Sequence, residues 1–227
     1  DSIPAAWGNL RRLHTLGMQQ ASLIGRLPRE LGYLTELQAV SFYGNQLRGS
    51  VPSELGRLRK LVDLDLSYNQ FSGPLPPELG RLRELWRLAV QVNQLSGPVP
   101  DSLGRLRQVQ ELRLNNNQFS GPLPATLGRL PALRAFWASD NHLTGSLPDS
   151  LARCTALAEL GLARNRLSGP LPANLAAWSA LIYLDLADNQ FSGSLPAGLV
   201  QLNHLKYCLL SRNRFTGSLP TGWSQLQ

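Results

Sequence analysis

Short stretches of alternating hydrophobic and polar residues give way to turn-forming residues, in an order that recurs along the chain. Residues 63–67 read DLDLS, and this alternation is typical of a half-buried strand. Residues 72–76 read SGPLP, whose glycine and prolines exclude a long helix and favour a second, shorter extended segment. Residues 78–82 read ELGRL, whose leucines three apart predict one short helical or 3-10 turn ended by its glycine.

This unit of 24 residues repeats along the chain and predicts its architecture. An asparagine follows each strand at a constant spacing: Asn45, Asn69, Asn93, Asn117, Asn141, Asn165, Asn189 and Asn213. One earlier unit keeps the leucine positions but has Ala21 in place of asparagine, which makes nine units. Such a period predicts an α/β solenoid with a parallel sheet on one side and a line of short helical or 3-10 turns on the other. We expect one domain over residues 1–227, either an array without caps or a fragment of a longer protein.

The positions that vary least between units are expected to stabilise the fold. The asparagine amide can bond to backbone groups that the turn exposes, and stacked units would align these amides in a buried ladder. Leu64 and Leu66 are expected to point inward, and Phe71 to fill the core behind the turn. Cys154 and Cys208 stand at phases otherwise held by leucine, in units two apart, so we predict core positions with reduced thiols.

The repeating phrase resembles that of a known family. The pattern LxxLxxLxLxxNxLxGxLPxxLGxL is nearly complete at residues 58–82 and 106–130, and its S/T-G-x-L/V-P element is typical of one subclass. The chain therefore resembles plant-type leucine-rich repeat proteins, such as receptor ectodomains and polygalacturonase inhibitors. The resemblance implies a horseshoe whose concave parallel sheet binds ligands and whose GxLP segments form a second short sheet. It also implies a secreted or cell-surface protein. Because the sequence has neither a capping cysteine pair nor an Asn-x-Ser/Thr sequon, an intracellular location stays open.

Motifs for catalysis or for metal and cofactor binding are missing from the sequence. The three histidines fall at different phases of the repeat, and no phosphate-binding loop or nucleophile elbow occurs. Asp63 and Asp65 share one strand face, but solvated acids beside Arg87 are the preferred interpretation of this pair. We therefore predict a protein that is not an enzyme and uses no metal or cofactor. No stretch approaches the roughly 18 apolar residues of a membrane-spanning helix.

The outward strand positions differ between units, and specificity is expected there. They carry charges in the early and middle strands and large aromatics later, with two more tyrosines near the beginning. The candidate ligand-binding residues are Trp137, Arg113, Glu111, Arg87, Asp65, Asp63, Tyr183, Tyr207, Tyr43 and Tyr68.

Exposed aromatics are costly unless a partner covers them, so we predict a groove for a protein or peptide that acts in signalling, defence or host interaction. Inhibition of a secreted hydrolase is a special case of this function. The competing interpretation is that side chains on a curved sheet cover one another across strands. Ice binding would require threonine or a similar residue at the same outward position of every unit, and the outward strand positions differ too much between units.

A column of arginines in the turns offers an alternative function. The net charge is +7, and eight arginines recur at two neighbouring phases: Arg57, Arg81, Arg105, Arg129, Arg153, Arg59, Arg83 and Arg107. This stripe could bind nucleic acid, anionic lipid or an acidic polysaccharide. Glu54 and Glu78 stand three residues before two of the arginines, so solvated charges partnered by these glutamates are the preferred interpretation. Because no aromatics are interleaved with the stripe, nucleic acid is a disfavoured partner.

Overall fold

The chain folds into a stack of similar units with a sheet on each of two sides. A computed structural model describes residues 1–223, so the last four residues of the predicted domain lie outside the described part. Within residues 1–223, eighteen strands form two parallel sheets of nine strands each, and 3-10 turns connect the units. The order of strands in each sheet follows the chain, which confirms the predicted leucine-rich repeat solenoid. None of the helical turns in residues 1–223 has the length and apolar character needed to cross a membrane.

In the described part of the chain, each of the nine units contributes one strand to each sheet and one 3-10 turn. The strands of the first sheet are β1 (Thr15–Gly17), β3 (Ala39–Ser41), β5 (Asp63–Asp65), β7 (Arg87–Ala89), β9 (Glu111–Arg113), β11 (Ala135–Trp137), β13 (Glu159–Gly161), β15 (Tyr183–Asp185) and β17 (Tyr207–Leu209). The strands of the second sheet are β2 (Ile24–Gly25), β4 (Gln46–Gly49), β6 (Gln70–Pro74), β8 (Gln94–Gly97), β10 (Gln118–Pro122), β12 (His142–Gly145), β14 (Arg166–Gly169), β16 (Gln190–Gly193) and β18 (Arg214–Phe215). The 3-10 turns are η1 (Ala5–Asn9), η2 (Arg29–Tyr33), η3 (Ser53–Arg57), η4 (Pro77–Arg81), η5 (Asp101–Arg105), η6 (Ala125–Arg129), η7 (Asp149–Arg153), η8 (Leu175–Ala177) and η9 (Ala197–Gln201).

The two sheets differ in register. In the first sheet, neighbouring residues are one full unit apart, as for Asp63 opposite Arg87, so equivalent side chains form straight columns across the strands. In the second sheet, Ser72 lies opposite Gln94, which leaves equivalent positions staggered by two residues from strand to strand. Variable side chains are therefore brought side by side on the first sheet.

A continuous leucine core fills the space between the sheets and the turns. Leu64, Leu66 and Phe71 are fully buried, as predicted, and Leu79 and Leu82 close the core on the side of the turns. Equivalent leucines of all units join these residues in one cluster. Since no single unit can bury its own leucines, the stacking of units is what removes them from water.

Cysteine and tryptophan replace leucine at some core positions. Cys154 is buried and Cys208 partly buried, both as free thiols, and burial raises the pKa of each thiol to about 11. Trp178 occupies the phase of Cys154 one unit later and is fully buried. Its indole N–H donates to the carbonyl of Leu151 at 3.0 Å, so this larger side chain keeps its polar atom satisfied.

The asparagine after each strand connects its unit to the preceding one. Asn117 donates from Nδ2 to the carbonyls of Leu114 at 3.1 Å and Val90 at 3.0 Å, and its Oδ1 accepts the N–H of Leu95 at 2.9 Å. The same three bonds recur at the other seven asparagines. The predicted bonding of the asparagine amides to backbone groups is therefore confirmed, and these bonds join each unit to the preceding one.

Two backbone positions have strict conformational or spatial requirements. The residue before each asparagine is left-handed, with φ of 54° at Val92 and 55° at Asn116. Gly80, predicted to end its turn, instead lies inside η4. A Cβ at Gly80 would stand 2.3 Å from the carbonyl oxygen of Ser102, so this position needs glycine because the next turn packs directly against its backbone.

Candidate functional site

The outward face of the first sheet brings most of the predicted ligand-binding residues into two clusters. The first, called the ion cluster, lies on β5, β7 and β9 and consists of Asp63, Asp65, Arg87, Glu111 and Arg113. The second, called the aromatic row, lies on β11, β15 and β17 and consists of Trp137, Tyr183 and Tyr207.

Arg87 lies at the centre of the ion cluster. Its Nη1 is 3.1 Å from Oδ1 of Asp63, and its Nη2 is 2.6 Å from Oδ2 of Asp65. Its Nε is 3.7 Å from Oε2 of Glu111, which is in turn 3.2 Å from Nε of Arg113. The straight register of the first sheet explains these contacts, because it places the three outward positions side by side. All five residues therefore belong to one network.

The interpretation of Asp65 as a solvated acid is wrong. Its side chain is only 8% exposed, and its Oδ1 accepts hydrogen bonds from the backbone N–H and the hydroxyl of Ser67. Asp65 therefore lies below Arg87, orients its guanidinium through the ion pair and is not accessible to a ligand. Asp63 is more open, and burial raises the pKa of its carboxyl against the opposing effect of Arg87. Burial acts to lower the pKa of Arg87, but the hydrogen bonds and charges of both aspartates raise it overall.

The aromatic row spans four strands. The indole of Trp137 crosses β13 and lies 5.1 Å from the ring of Tyr183, which lies 5.7 Å from the ring of Tyr207, measured between centroids. Gly161 on β13 leaves the space for this crossing, and Nε1 of Trp137 donates to Oε2 of Glu159 at 3.0 Å. Gly161 and Glu159 were not among the predicted residues. Gly161 and Glu159 follow Trp137 by 24 and 22 residues, so the repeat period indicates that both lie beside Trp137 on the next strand.

One end of the aromatic row is anchored and the other is open. Trp137 and Tyr183 are half-buried, whereas Tyr207 is 58% exposed and the neighbouring Leu209 43% exposed. Burial, assisted by the charge of Asp185, raises the pKa of the Tyr183 hydroxyl. Side chains therefore cover one another across strands at Trp137, as the competing interpretation holds, but a preorganised apolar surface remains open at Tyr207.

Tyr43 and Tyr68 form a separate pair. Their rings meet edge to face with centroids 5.2 Å apart, and Tyr68 is 47% exposed. Both follow their strands in the turn that contains the asparagine, in the second and third units, whereas Trp137 lies in the sixth. The structure thus does not bring this pair together with the aromatic row.

The predicted partnership between the turn glutamates and arginines is wrong. Among residues 1–223, neither Glu54 nor Glu78 forms an ion pair with an arginine. The backbone and Cβ of each glutamate lie against the glycine of the preceding turn. The arginines of the turns are exposed and have no carboxylate partner in the described part of the chain.

The second sheet carries a feature that was not among the predicted sites. Six consecutive strands have a small hydroxyl residue at the same outward position, and all six are half-exposed: Ser72, Ser96, Ser120, Thr144, Ser168 and Ser192. Because this sheet is staggered by two residues per strand, the hydroxyls lie on a diagonal line and not in a straight column.

Two stacked parallel sheets of short repeats, with a variable outward face on the first, define a solenoid of the binding-module type. A model of the family described as Leucine Rich Repeat matches residues 60–82, 108–130, 132–154, 180–202 and 204–226, which is about half of the chain. The chain belongs to the leucine-rich repeat family. A comparison with curated protein sequences gives no match.

Solved structures of plant proteins confirm the resemblance to plant receptor ectodomains. The plant peptide hormone receptor RGFR1, in complex with RGF2, is 32% identical with a TM-score of 0.98, over 100% of this chain and 36% of the receptor chain. The ectodomain of the Arabidopsis thaliana receptor kinase GASSHO1/SCHENGEN3, in complex with CASPARIAN STRIP INTEGRITY FACTOR 2, is 40% identical with a TM-score of 0.95, over 96% and 26%. A plant ice-binding protein is 31% identical with a TM-score of 0.84, over 97% and 71%. The chain thus spans only about a quarter to a third of the two receptor chains.

Proposed function

We propose that this chain is a non-enzymatic module that binds an extended peptide, or a loop of a partner protein, on the outward face of the first sheet. The aromatic row carries the proposal. A tryptophan and two tyrosines held in fixed positions, with Tyr207 left open, have the properties of anchors at protein interfaces. The similarity to a peptide hormone receptor supports the same function.

The charge of this face indicates the chemistry of the ligand. Its outward positions carry five carboxylates and two guanidiniums, a formal charge of −3 on a chain of net charge +7; these residues are Asp63, Asp65, Glu111, Glu159, Asp185, Arg87 and Arg113. Opposite charges across an interface favour the correct partner and suppress others. The favoured ligand therefore presents an apolar or aromatic side chain to the aromatic row and a basic side chain beside it.

The sheet also limits how a peptide can bind. Strands β3 to β15 each bond to a neighbour on both sides, so a peptide lying across them cannot extend the sheet through its backbone. Recognition must then rely on side chains that fit a preorganised surface. This kind of recognition suits a signalling peptide, a defence-related protein or a secreted hydrolase that this chain inhibits.

Selection from a random peptide library provides the test. Peptides selected on the purified chain are expected to carry apolar and basic residues, and Trp137→Ala or Tyr207→Ala should weaken their binding by roughly tenfold or more. Tyr33→Ala, which removes a similarly exposed aromatic from η2, is the matched control and should change affinity less than about twofold. Selected peptides that bind all three variants equally well would refute the assignment of the aromatic row.

A second candidate function is binding to ice through the second sheet. It is supported by the line of six half-exposed hydroxyl residues and by the similarity to a plant ice-binding protein. The wild-type chain would then inhibit ice recrystallisation, and replacing Ser96, Ser120 and Ser168 by lysine would abolish the effect while Trp137→Ala would not. A wild-type chain without effect on ice growth would eliminate this candidate.

A further inference from the structure

Eight arginines form a positively charged edge along the 3-10 turns, here called the turn row. Five of them end the turns η3 to η7 and three follow two residues later: Arg57, Arg81, Arg105, Arg129, Arg153, Arg59, Arg83 and Arg107. All eight are exposed, and within the described residues none of them forms an ion pair. Without them the chain would have a formal net charge of −1, because 14 basic residues would remain against 15 acidic ones.

Several arginines outside the turn row have acidic partners. On the first sheet, Arg87 and Arg113 are bound by carboxylates, and even the exposed Arg164 and Arg212 pair with aspartates one unit earlier. Acidic side chains therefore neutralise these four arginines, whereas no carboxylate pairs with the turn row within residues 1–223. The turn row concentrates the excess positive charge of the chain in one line.

The backbone gives the turn row a regular arrangement. Successive turns stack closely, since a Cβ at Gly104 would lie 2.3 Å from a carbonyl oxygen of the next turn. Arg59 donates from Nη1 to the carbonyl of Arg81 at 2.7 Å, and Arg107 donates in the same way to the carbonyl of Arg129 at 3.4 Å. These bonds hold the guanidinium of one turn over the end of the next, which lowers the conformational entropy lost when a ligand binds.

A cleft between the turns lies within this row. It has a volume of about 260 Å³ and is lined by Arg83, Gly104, Arg105, Arg107 and Arg129, without an acidic side chain. Guanidinium groups bind carboxylate and sulfate through two parallel hydrogen bonds. We propose that the turn row binds a linear acidic polysaccharide, with one carboxylate or sulfate group in this cleft and further groups on the arginines of neighbouring turns.

The surroundings of the turn row favour this partner over other polyanions. Single-stranded nucleic acid needs open aromatic faces for base stacking. Tyr33 stands at the phase of the row in η2, but the equivalent positions in η3 to η7 hold arginine, and the guanidiniums of Arg11 and Arg57 already lie 5.0 and 5.8 Å from the ring centroid of Tyr33. Binding within an anionic membrane surface uses apolar side chains beside the basic ones, whereas the leucines of these turns, such as Leu103 and Leu127, are buried.

Two triple variants of equal charge provide the test. In the first, Arg81, Arg105 and Arg129 are replaced by glutamine; in the second, the control, Arg26, Arg48 and Arg166 are replaced, which are exposed and unpaired positions on and near the second sheet. Binding to heparin and to a polygalacturonate oligosaccharide is measured at several salt concentrations. A dT20 oligonucleotide and phosphatidylserine vesicles serve as the competing ligands.

The wild-type chain is expected to bind at least one polysaccharide in a salt-dependent manner, the turn-row variant about tenfold or more weakly, and the control variant within about twofold of wild type. Heparin and polygalacturonate distinguish sulfate from carboxylate ligands. Trp137→Ala should bind polysaccharide normally, so failure of the peptide proposal would be distinguishable from failure here. Equal losses in both triple variants, stronger binding to the oligonucleotide or vesicles, or no polysaccharide binding would overturn the inference.

Discussion

The indole of Trp137 lies across Gly161 of the next strand, so close that a Cβ on Gly161 would stand 2.3 Å from the ring. Gly161→Ala should therefore displace the indole, break its hydrogen bond to Glu159 and separate it from Tyr183. We expect a change in tryptophan fluorescence and a loss of peptide affinity close to that of Trp137→Ala, while the backbone fold is kept.

Gly17→Ala is the matched control for this change. Gly17 occupies the same outward column in the first unit, and its nearest obstacle is the flexible side chain of Gln19 at 3.2 Å. This variant should leave fluorescence and affinity unchanged. If Gly161→Ala also left fluorescence and affinity unchanged, the position of the indole would not depend on the space that Gly161 leaves above β13.

Asn117 should contribute more to stability than Trp137. Replacing Asn117 by alanine leaves one buried N–H and two carbonyls of two units without this partner, at a cost of roughly 3 kcal/mol. Trp137→Ala removes a half-buried ring and one hydrogen bond at the surface, at about 1 kcal/mol. Urea midpoints measure the difference, and equal losses would contradict the assignment of the asparagines to the scaffold.

Val92 is a strained position that can be improved. It is a β-branched residue with φ of 54°, a conformation that costs about 1 kcal/mol or more in a residue other than glycine or asparagine. The equivalent position holds Gly44 or Asn116 in other units. Val92→Asn should raise the thermal midpoint, and the reverse change Asn116→Val should lower it. A Val92→Asn variant less stable than wild type would show that contacts of the valine outweigh its backbone strain.

The raised pKa of Asp63 predicts a dependence of stability on pH. Because burial lifts the folded-state pKa above the unfolded value of 3.8, the folded chain binds a proton more tightly in the window between the two values. This contribution of Asp63 is present at low pH and is lost as pH rises through the folded-state pKa. Measured from pH 3 to pH 7, wild-type stability should therefore fall relative to Asp63→Asn. A relative stability that rises over this range would contradict the sign.

The period of the sequence was sufficient to predict the strands, the core and the 3-10 turns. Each position meets nearly the same neighbours in every unit, so one interpretation of Leu64 or Phe71 holds for all equivalents. The outward strand positions hold different residues in each unit, so an interpretation of one position does not apply to its equivalents. Spacing by 24 residues indicates that Asp63 and Arg87 are adjacent, but the burial of Asp65 depends on Arg87 folding over it, which no repeat pattern encodes.

The glutamates of the turns illustrate the same limit. A spacing of three residues between Glu54 and Arg57 predicts neighbouring side chains on a 3-10 turn. In the structure the backbone and Cβ of Glu54 pack against Gly32 of the preceding turn, and Glu54 forms no ion pair with Arg57 among residues 1–223. Spacing within one unit did not predict this arrangement, because it does not include the contacts between units.

The most direct measurement for the proposed function is the structure of this chain bound to a library-selected peptide. We expect the peptide to cross the outward face of the first sheet, with an apolar side chain against Trp137 and Tyr207 and a basic side chain near Glu111 or Asp185. A peptide bound to the turns or to the second sheet, with the aromatic row still open, would contradict the account.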